Sequence, residues 1–180
     1  MVLMQFKEGT FMPKSNYFVR GMEREDIGQV MNIEKSSFQF PWRKYNFLRS
    51  LDMPHAGLVC ESIKGGGIVG YSVFEHENNK LFLLNIAVRG DDRRLGAGRA
   101  MIDKLKAKRW TREIPAIETM VRETNISAQS FFAEQGFKAN QVLHDNYDFL
   151  TEDAYVMRYS PGKLAPENRL SGFFKGVYMR

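Results

Sequence analysis

The segment that most constrains this chain is an apolar run followed at once by a glycine-containing turn and an amphipathic helix. Residues 80–110 have the sequence KLFLLNIAVRGDDRRLGAGRAMIDKLKAKRW, in which Leu81 to Val88 is long enough for a buried strand. After the polar break at residues 89–92, small and apolar residues recur at helical spacing, with charged residues on the opposite face. The recurring set is Gly98, Met101, Ile102 and Leu105. The pattern predicts a strand, a tight turn and a helix in immediate succession.

The turn between this strand and helix, Arg93-Arg94-Leu95-Gly96-Ala97-Gly98, has the composition of an anion site. Its two glycines leave the backbone N–H groups of the first helical turn uncovered. Unpaired N–H groups and the positive end of the helix dipole together favour phosphate or pyrophosphate. A glycine-rich connection that binds no ligand is the alternative interpretation.

Two common phosphate-binding motifs fit this turn poorly. A P-loop needs Gly-Lys-Ser/Thr at its end, whereas Gly98 is followed by Arg99. A dinucleotide fingerprint needs a third small residue at position 101, which is Met, and a run of βαβ units that the sequence does not show. The pattern that remains is Arg-x-x-Gly-x-Gly, placed directly after a buried strand.

That remaining pattern resembles the acyl-CoA-binding turn of the GNAT superfamily of N-acyltransferases. Those proteins carry Gln/Arg-x-x-Gly-x-Gly/Ala after a buried strand, and Arg93, Gly96 and Gly98 stand at its fixed positions. The resemblance implies that the turn holds the pyrophosphate of coenzyme A at the start of the helix.

The excess positive charge of the chain lies around the same turn. The chain has 180 residues and a formal net charge of +5. Residues 89–112 contain nine Lys or Arg and three Asp or Glu, so this segment carries +6 and the rest −1. The phosphates of coenzyme A would be attracted to this region. Nucleic acid is the alternative partner, but the sequence has no aromatic-interleaved basic groove and no groove-reading motif.

The remaining apolar runs and turns predict one α/β (α+β) domain. The element order is β-α-α-β-β-β-α-β-α-β-β, which gives a single mixed, mostly antiparallel twisted sheet of about seven strands with helices on both faces. Residues 116–122 reach the strand at 81–88 through a helical crossover, so these two strands are predicted to be parallel neighbours. Asp26 is predicted to cap the first helix, and Asn125 to cap the last.

The predicted domain spans residues 16–160, with a short lead at 1–15 and a C-terminal extension at 161–180. Cys60 is the only cysteine, so no intrachain disulfide is possible, and its strand setting predicts a buried apolar role. No apolar run approaches 18 residues, and no two of the three histidines have metal-ligand spacing. We therefore expect a cytoplasmic protein with no membrane partner and no metal.

Further segments extend the resemblance to the ribosomal-protein-alanine N-acetyltransferases, the RimI type, over Tyr17 to Tyr159. Phe40-Pro41-Trp42 matches the segment that N-terminal acetyltransferases place beside the acceptor peptide, although these residues would also suit core anchors. The other matching segments are Asn85 to Val88, Val121 to Asn125, Gly136-Phe137 and Asn146-Tyr147.

The resemblance implies a donor site and an acceptor site. In such enzymes the strand carrying residues 86–88 splays from the next strand, and the pantetheine of acetyl-CoA lies in the gap. The residues implied to bind acetyl-CoA are Ile86, Ala87, Val88, Arg94, Leu95, Gly96, Ala97, Gly98, Arg99 and Asn125. The residues implied to contact the acceptor are Phe40, Pro41, Trp42 and Tyr147.

Three positions where related enzymes carry proton-transfer groups are apolar in this chain. Met120 stands where the RimI type has a glutamate base, Phe132 where it has a tyrosine acid, and Phe82 where other members have a base. Glu118 is the substitute candidate for the base, acting through a water, because it lies two residues before Met120 on the same strand face, about 6.6 Å away along the strand. The alternative is that Glu118 only pairs with a surface lysine. Tyr147, in the loop expected to cover the acceptor, is the candidate acid.

The predicted function is acetyl-CoA-dependent N-acetyl transfer to a primary amine, by direct attack of the amine on the thioester. A protein N-terminal α-amine is favoured as acceptor, because its reference pKa of about 8 is lower than the value of about 10.4 for lysine. The alternatives are a small-amine or lysine acetyltransferase, or an acetyl-CoA-binding module with little catalytic activity. The sequence fixes neither the acceptor nor the oligomeric state.

Overall fold

A computed structural model describes residues 16–53, 56–77, 80–110, 116–144 and 152–160. The predicted lead and C-terminal extension lie outside these ranges. The strands are β1 Tyr17–Gly21, β2 Gly57–Ser62, β3 Ile68–Glu77, β4 Lys80–Val88, β5 Ile117–Arg122, β6 Lys138–Leu143 and β7 Ala154–Tyr159. The α-helices are α1 Ile27–Ser37, α2 Lys44–Leu51, α3 Ala97–Trp110 and α4 Ile126–Glu134. Their order along the chain confirms the predicted one.

The seven described strands form one sheet in the order β1-β2-β3-β4-β5-β7-β6. Among the described neighbours only β4 and β5 are parallel, and α3 makes the crossover between them. The predicted mixed, mostly antiparallel sheet is therefore confirmed. β7 lies between β5 and β6 and pairs antiparallel with both.

Apolar clusters on the two faces of the sheet hold the helices in place. α1 and α2 cover one face, where Ile27, Val30 and Phe47 pack in a cluster with Tyr71. α3 and α4 cover the other face with a second cluster, which is made of Leu58, Phe74, Leu81, Leu83, Ile102, Leu105, Ile117, Val121, Phe132, Phe137 and Met157. The helical spacing read from the sequence is thus the spacing of the buried side chains, and helices cover both faces as predicted.

β4 is irregular half-way along its length. Its register with β3 shifts between Val73 and Phe74, where β4 carries one extra residue, Leu84, which is a β-bulge. The register with β5 ends close by, at Leu83 opposite Thr119. The Thr119 hydroxyl donates a hydrogen bond to the carbonyl oxygen of Leu83 at 3.0 Å. Beyond this point the two parallel strands continue on opposite sides of a cleft.

Asp26 differs from the sequence prediction. It ends a short 3₁₀ turn, Arg24–Asp26, with φ −73° and ψ −22°, so its backbone is already helical and does not have the extended form of an N-cap residue. Its carboxylate accepts from the backbone N–H of Glu23 at 2.8 Å and from Arg20 at 2.7 and 2.9 Å. The Arg20 guanidinium holds the pKa of this carboxyl below its usual value. The predicted capping role is wrong, and Asp26 instead joins β1 to the start of α1.

Cys60 has the buried position predicted for it. It lies on β2 with no exposed surface, and its Sγ is 3.9 Å from the carbonyl oxygen of Ala97 at the start of α3. Burial raises the pKa of the Cys60 thiol to about 12. In the part of the chain that the structure describes, no helix is both long and apolar enough to cross a membrane.

Candidate active site

The diverging strands β4 and β5 form two sides of a cleft of about 460 Å³. The connection from α1 to α2 forms a third side, and the start of α4 closes one end. Extended backbone along the edge of such a cleft can bind an extended ligand by main-chain hydrogen bonds. The lining residues are Glu34, Ser37, Phe38, Gln39, Phe40, Trp42, Leu84, Asn85, Ile86, Thr119, Met120, Val121, Arg122, Thr124, Asn125, Ala128 and Phe132.

The predicted donor residues on β4 have different surroundings. Ile86 lines the cleft. Ala87 is buried opposite Tyr71 of β3, and Val88 packs against a cluster that includes Met101 of α3. β4 therefore presents one side to the cleft while its other contacts hold it to the core.

The glycine turn after β4 is tightly bent and leads directly into α3. Arg94 and Gly96 both have left-handed backbone, with φ of 63° and 101°. A side chain at Gly96 would be strained in this conformation. A Cβ at Gly98 would lie 3.1 Å from the ring of Phe131, so the absence of a side chain allows α3 to approach α4 closely. The two glycines thus have separate roles, one in the turn and one in helix packing.

The three arginines of the turn and the first turn of α3 differ in their contacts. The Arg93 guanidinium donates to the Val88 carbonyl oxygen at 3.0 Å and to the Ser37 hydroxyl at 3.3 Å, which ties the turn to β4 and α1. Arg94 and Arg99 are exposed, and Arg99 lies 3.7 Å from Asp103 one helical turn later. The phosphate contact expected of Arg94 and Arg99 stays a prediction.

Asn125 lies at the start of α4, at the edge of the cleft. Its Oδ1 accepts a hydrogen bond from the backbone N–H of Ala128 at 3.1 Å, so the predicted capping role is confirmed. The contact with acetyl-CoA predicted for the same residue stays a prediction.

The predicted acceptor segment forms an aromatic side of the cleft. Phe38, Phe40 and Trp42 line it, and the Trp42 ring packs on Phe47 of α2 with ring centroids 5.4 Å apart. Pro41 is exposed and does not line the cleft in the described part of the chain. Tyr147, predicted for this region, lies outside the described residues.

The sequence pattern of the acetyltransferase (GNAT) family matches residues 27–137, well over half of the chain. This chain belongs to the GNAT acetyltransferase family. The resemblance inferred from the sequence is confirmed, and acetyl-CoA is the acyl donor of this GNAT acetyltransferase. Within the described ranges, no group of three or more His, Cys, Asp or Glu is placed to hold a metal ion.

One sequence relative and two solved structures also resemble this chain. A putative ribosomal protein bS18-alanine N-acetyltransferase of Bacillus subtilis is 30% identical over 146 residues, which cover 80% of this chain and 95% of the relative. The crystal structure of Ard1 from Thermoplasma volcanium has a TM-score of 0.73 at 23% identity, over 81% of this chain and 97% of that one. The ribosomal-protein-S18-alanine N-acetyltransferase from Escherichia coli has a TM-score of 0.72 at 23% identity, over 85% and 98%. The two structures show that the fold is shared.

Of the three apolar positions noted in the sequence, two lie on the cleft and one lies in the core. Met120 and Phe132 both line the cleft. Phe82 is buried in the cluster beneath α1 and α2, 3% exposed. None of these three side chains carries an exchangeable proton, so none of them can act as the base or the acid.

Glu118, the base predicted from the sequence, is held by cations outside the cleft. It pairs with Phe82 across the parallel ladder, before the strands diverge, and it is 1% exposed. Its carboxylate is 3.2 Å from the Lys80 ammonium and 3.6 Å from the Arg158 guanidinium. Glu118 is absent from the described residues that line the cleft. Its catalytic role stays a prediction, and no contact in the cleft supports it.

Glu34 is a site residue that the sequence interpretation missed. It lies on α1, 1% exposed, and lines the cleft. Its carboxylate accepts from the backbone N–H of Trp42 at 2.6 Å, from Asn85 Nδ2 at 3.3 Å and from the Tyr71 hydroxyl. Burial raises the pKa of this carboxyl, against the opposing effect of the three hydrogen bonds. The sequence does contain a signal for it. Glu34 lies four residues after Val30, so a charged side chain falls on the apolar stripe of α1.

Proposed function

We propose that this GNAT acetyltransferase transfers the acetyl group of acetyl-CoA to the α-amine of a protein N-terminus. The observation that carries the proposal is the cleft, which has the donor strand β4 on one side and the aromatic segment 38–42 on another. The Bacillus subtilis relative, whose name specifies N-acetylation of an alanine of ribosomal protein bS18, supports this class of acceptor.

The donor is proposed to lie along β4 with its phosphates at the glycine turn. Backbone groups of residues 86–88 would pair with pantetheine, and residues 94–99 would hold the pyrophosphate. The left-handed backbone at Arg94 and Gly96 and the start of the 14-residue helix α3 support this placement. The surplus of positive charge in residues 89–112 supports it as well. Asn125 would contact the donor from the start of α4.

The acceptor is proposed to enter beside Phe40, Pro41 and Trp42. At pH 7.5 about a quarter of an α-amine with a pKa of about 8 is neutral, against roughly one lysine ε-amine in a thousand. A site with apolar side chains at Met120 and Phe132 gains most from an acceptor that deprotonates easily. Tyr147 stays the predicted acid and peptide contact.

The proposed setting is the cytoplasm, where ribosomal proteins are made. The buried single thiol of Cys60 suits a reducing compartment. A protein N-terminus is the proposed partner besides acetyl-CoA.

Calorimetric titration with acetyl-CoA, followed by measurement of free thiol over a panel of acceptors, tests the proposal. The panel contains a peptide with a free N-terminal alanine, the same peptide blocked at its N-terminus but carrying a lysine, and a polyamine. We expect one molecule of acetyl-CoA to bind per chain, and thiol release to be fastest with the free N-terminus.

Each of the other outcomes of this experiment would contradict a different part of the proposal. Release with lysine or polyamine alone would contradict the proposed acceptor. Binding without release from any acceptor would favour the alternative, an acetyl-CoA-binding module with little catalytic activity, which is suggested by the apolar residues Phe82, Met120 and Phe132. Failure to bind acetyl-CoA would contradict the donor site built on residues 93–99.

A further inference from the structure

We propose that Glu34 is the general base of the acetyl transfer, the group that takes the proton of the acceptor ammonium. This inference rests on the proposed function, since it needs an amine acceptor in the cleft. It assigns the base to α1 and removes it from β5, where Glu118 was predicted.

The first argument is position. Glu34 lies where the aromatic segment and the donor strand meet, because its carboxylate accepts from Trp42 of the former and from Asn85 of the latter. Asn85 is next to the bulge at Leu84 and also lines the cleft. An amine that attacks a thioester held along β4 must pass between these two sides. A general base has to lie within hydrogen-bond reach of that amine, directly or through one water.

The second argument is charge. The three donors to the Glu34 carboxylate are neutral, and no lysine, arginine or histidine of the described residues forms an ion pair with it. A buried carboxylate that is hydrogen-bonded but has no cation beside it keeps a high affinity for a proton, and in a cleft it is a candidate for proton transfer. Glu118 provides the contrast, because it is equally buried but lies between two cations.

The third argument is proton affinity. Burial raises the pKa of Glu34 above its usual value, which brings it closer to that of an α-amine. Tyr71 faces the carboxylate from β3, and Trp42 contributes its backbone N–H from the α1–α2 connection. Arg122 of β5 lines the same cleft and is 3.4 Å from Glu152 of the chain before β7. Arg122, the other charged residue among the described residues that line the cleft, is therefore paired with the Glu152 carboxylate.

The reaction is balanced with these groups alone. The acceptor ammonium gives one proton to the Glu34 carboxylate, and the neutral amine forms a nitrogen–carbon bond to the thioester carbonyl. The carbon–sulfur bond then breaks, with its electron pair on sulfur, and the second proton of the nitrogen passes to the coenzyme A thiolate. Glu34 releases its proton to solvent, so one proton is liberated for each amide formed from an ammonium.

The test compares Glu34→Gln with the wild-type protein over pH 6 to 9. Glutamine keeps an oxygen for the Trp42 N–H but cannot take a proton. We expect kcat/KM to fall about 100-fold at pH 7, and the deficit to shrink toward pH 9, where the amine deprotonates without help. Affinity for acetyl-CoA should stay within twofold, which shows that the variant is folded. Glu61→Gln is the matched control, since Glu61 is a partly buried carboxylate bonded to Arg20 on β1, away from the cleft.

Three results obtained with variants would overturn the proposal. The first is wild-type kcat/KM in Glu34→Gln across the pH range. The second is an equal loss at every pH, which is the behaviour of a purely structural contact; Glu34→Asp, which keeps a carboxylate, should then recover nothing. The third is a pH-dependent loss confined to Glu118→Gln.

If the wild-type protein acetylates lysine alone and Glu34→Gln abolishes that reaction with the same pH signature, the proposed acceptor fails while Glu34 stands as the base. Absence of transfer by the wild-type protein to any amine overturns both.

Discussion

At the scale of single residues, the two buried glutamates of this protein differ in the charges around them. Glu118 lies between two cations, Lys80 and Arg158, and before the point where β4 and β5 diverge. Glu34 is bonded by neutral donors and lies on the cleft. Burial alone therefore does not identify a proton-transfer group; burial without a nearby cation at the edge of a cleft is what makes Glu34 the proposed one.

Cys60 supplies a prediction at this scale. Its pKa of about 12 and its buried position keep the thiol protonated, so it should resist an aromatic disulfide reagent at pH 8 in the folded protein. The thiol should react within minutes after unfolding in denaturant. Because its folded pKa is raised from 9.0, its contribution to the free energy of unfolding is complete below pH 9 and is lost as the pH rises toward 12. Rapid stoichiometric reaction of the native protein would contradict its placement.

Some side-chain roles could be predicted from the sequence, and others could not. Asn125 was predictable as an N-cap, because its role depends on the helix that begins at the next residue. Strand alternation places Glu118 on the same face of the sheet as Met120, but it does not show where along β5 the cleft begins. Glu34 depends on contacts with Tyr71 and Asn85, which are 37 and 51 residues away. Contacts of that range become visible only in the folded chain.

At the scale of secondary-structure elements, the glycine turn before α3 is where we propose that the phosphates of acetyl-CoA bind. Gly96→Ala should raise the Kd for acetyl-CoA about 10-fold, because a side chain in left-handed backbone costs roughly 1–2 kcal/mol and distorts the turn. Calorimetry measures the change. Gly28→Ala on α1 is the control, since a Cβ there meets no atom within 4 Å and should leave the affinity unchanged. Equal affinities of Gly96→Ala and wild type would show that the turn does not bind the donor.

The order and type of the elements were predictable, whereas their irregularities were not. Apolar runs, glycines and asparagines mark where elements begin and end, and these are local signals. The position of β7 between β5 and β6 depends on pairing between distant strands. The extra residue at Leu84 depends on register with β3 and leaves no mark in the composition of β4. Asp26 was misassigned because its partner, Arg20, lies on the preceding strand.

At the scale of the whole molecule, the cleft results from one parallel pair within an otherwise antiparallel sheet. β4 and β5 share a short register and then separate, and α1 and α4 approach the opening from opposite faces of the sheet. This arrangement places a basic turn at the end of β4 and an aromatic segment on another side of the cleft, which are the proposed donor and acceptor sides. Family membership and the shared fold fix the donor as acetyl-CoA. The identity of the acceptor is tested by measuring which amine the enzyme acetylates.

The most direct measurement is the location of the acetyl group on a peptide that offers both kinds of amine. The peptide begins with a free alanine α-amine and carries an internal lysine, and tandem mass spectrometry after reaction with acetyl-CoA shows which nitrogen is modified. We expect acetylation at the α-nitrogen, with the lysine unmodified at equal exposure to enzyme. Acetylation at the lysine ε-nitrogen, with a free N-terminus, would contradict the proposed function.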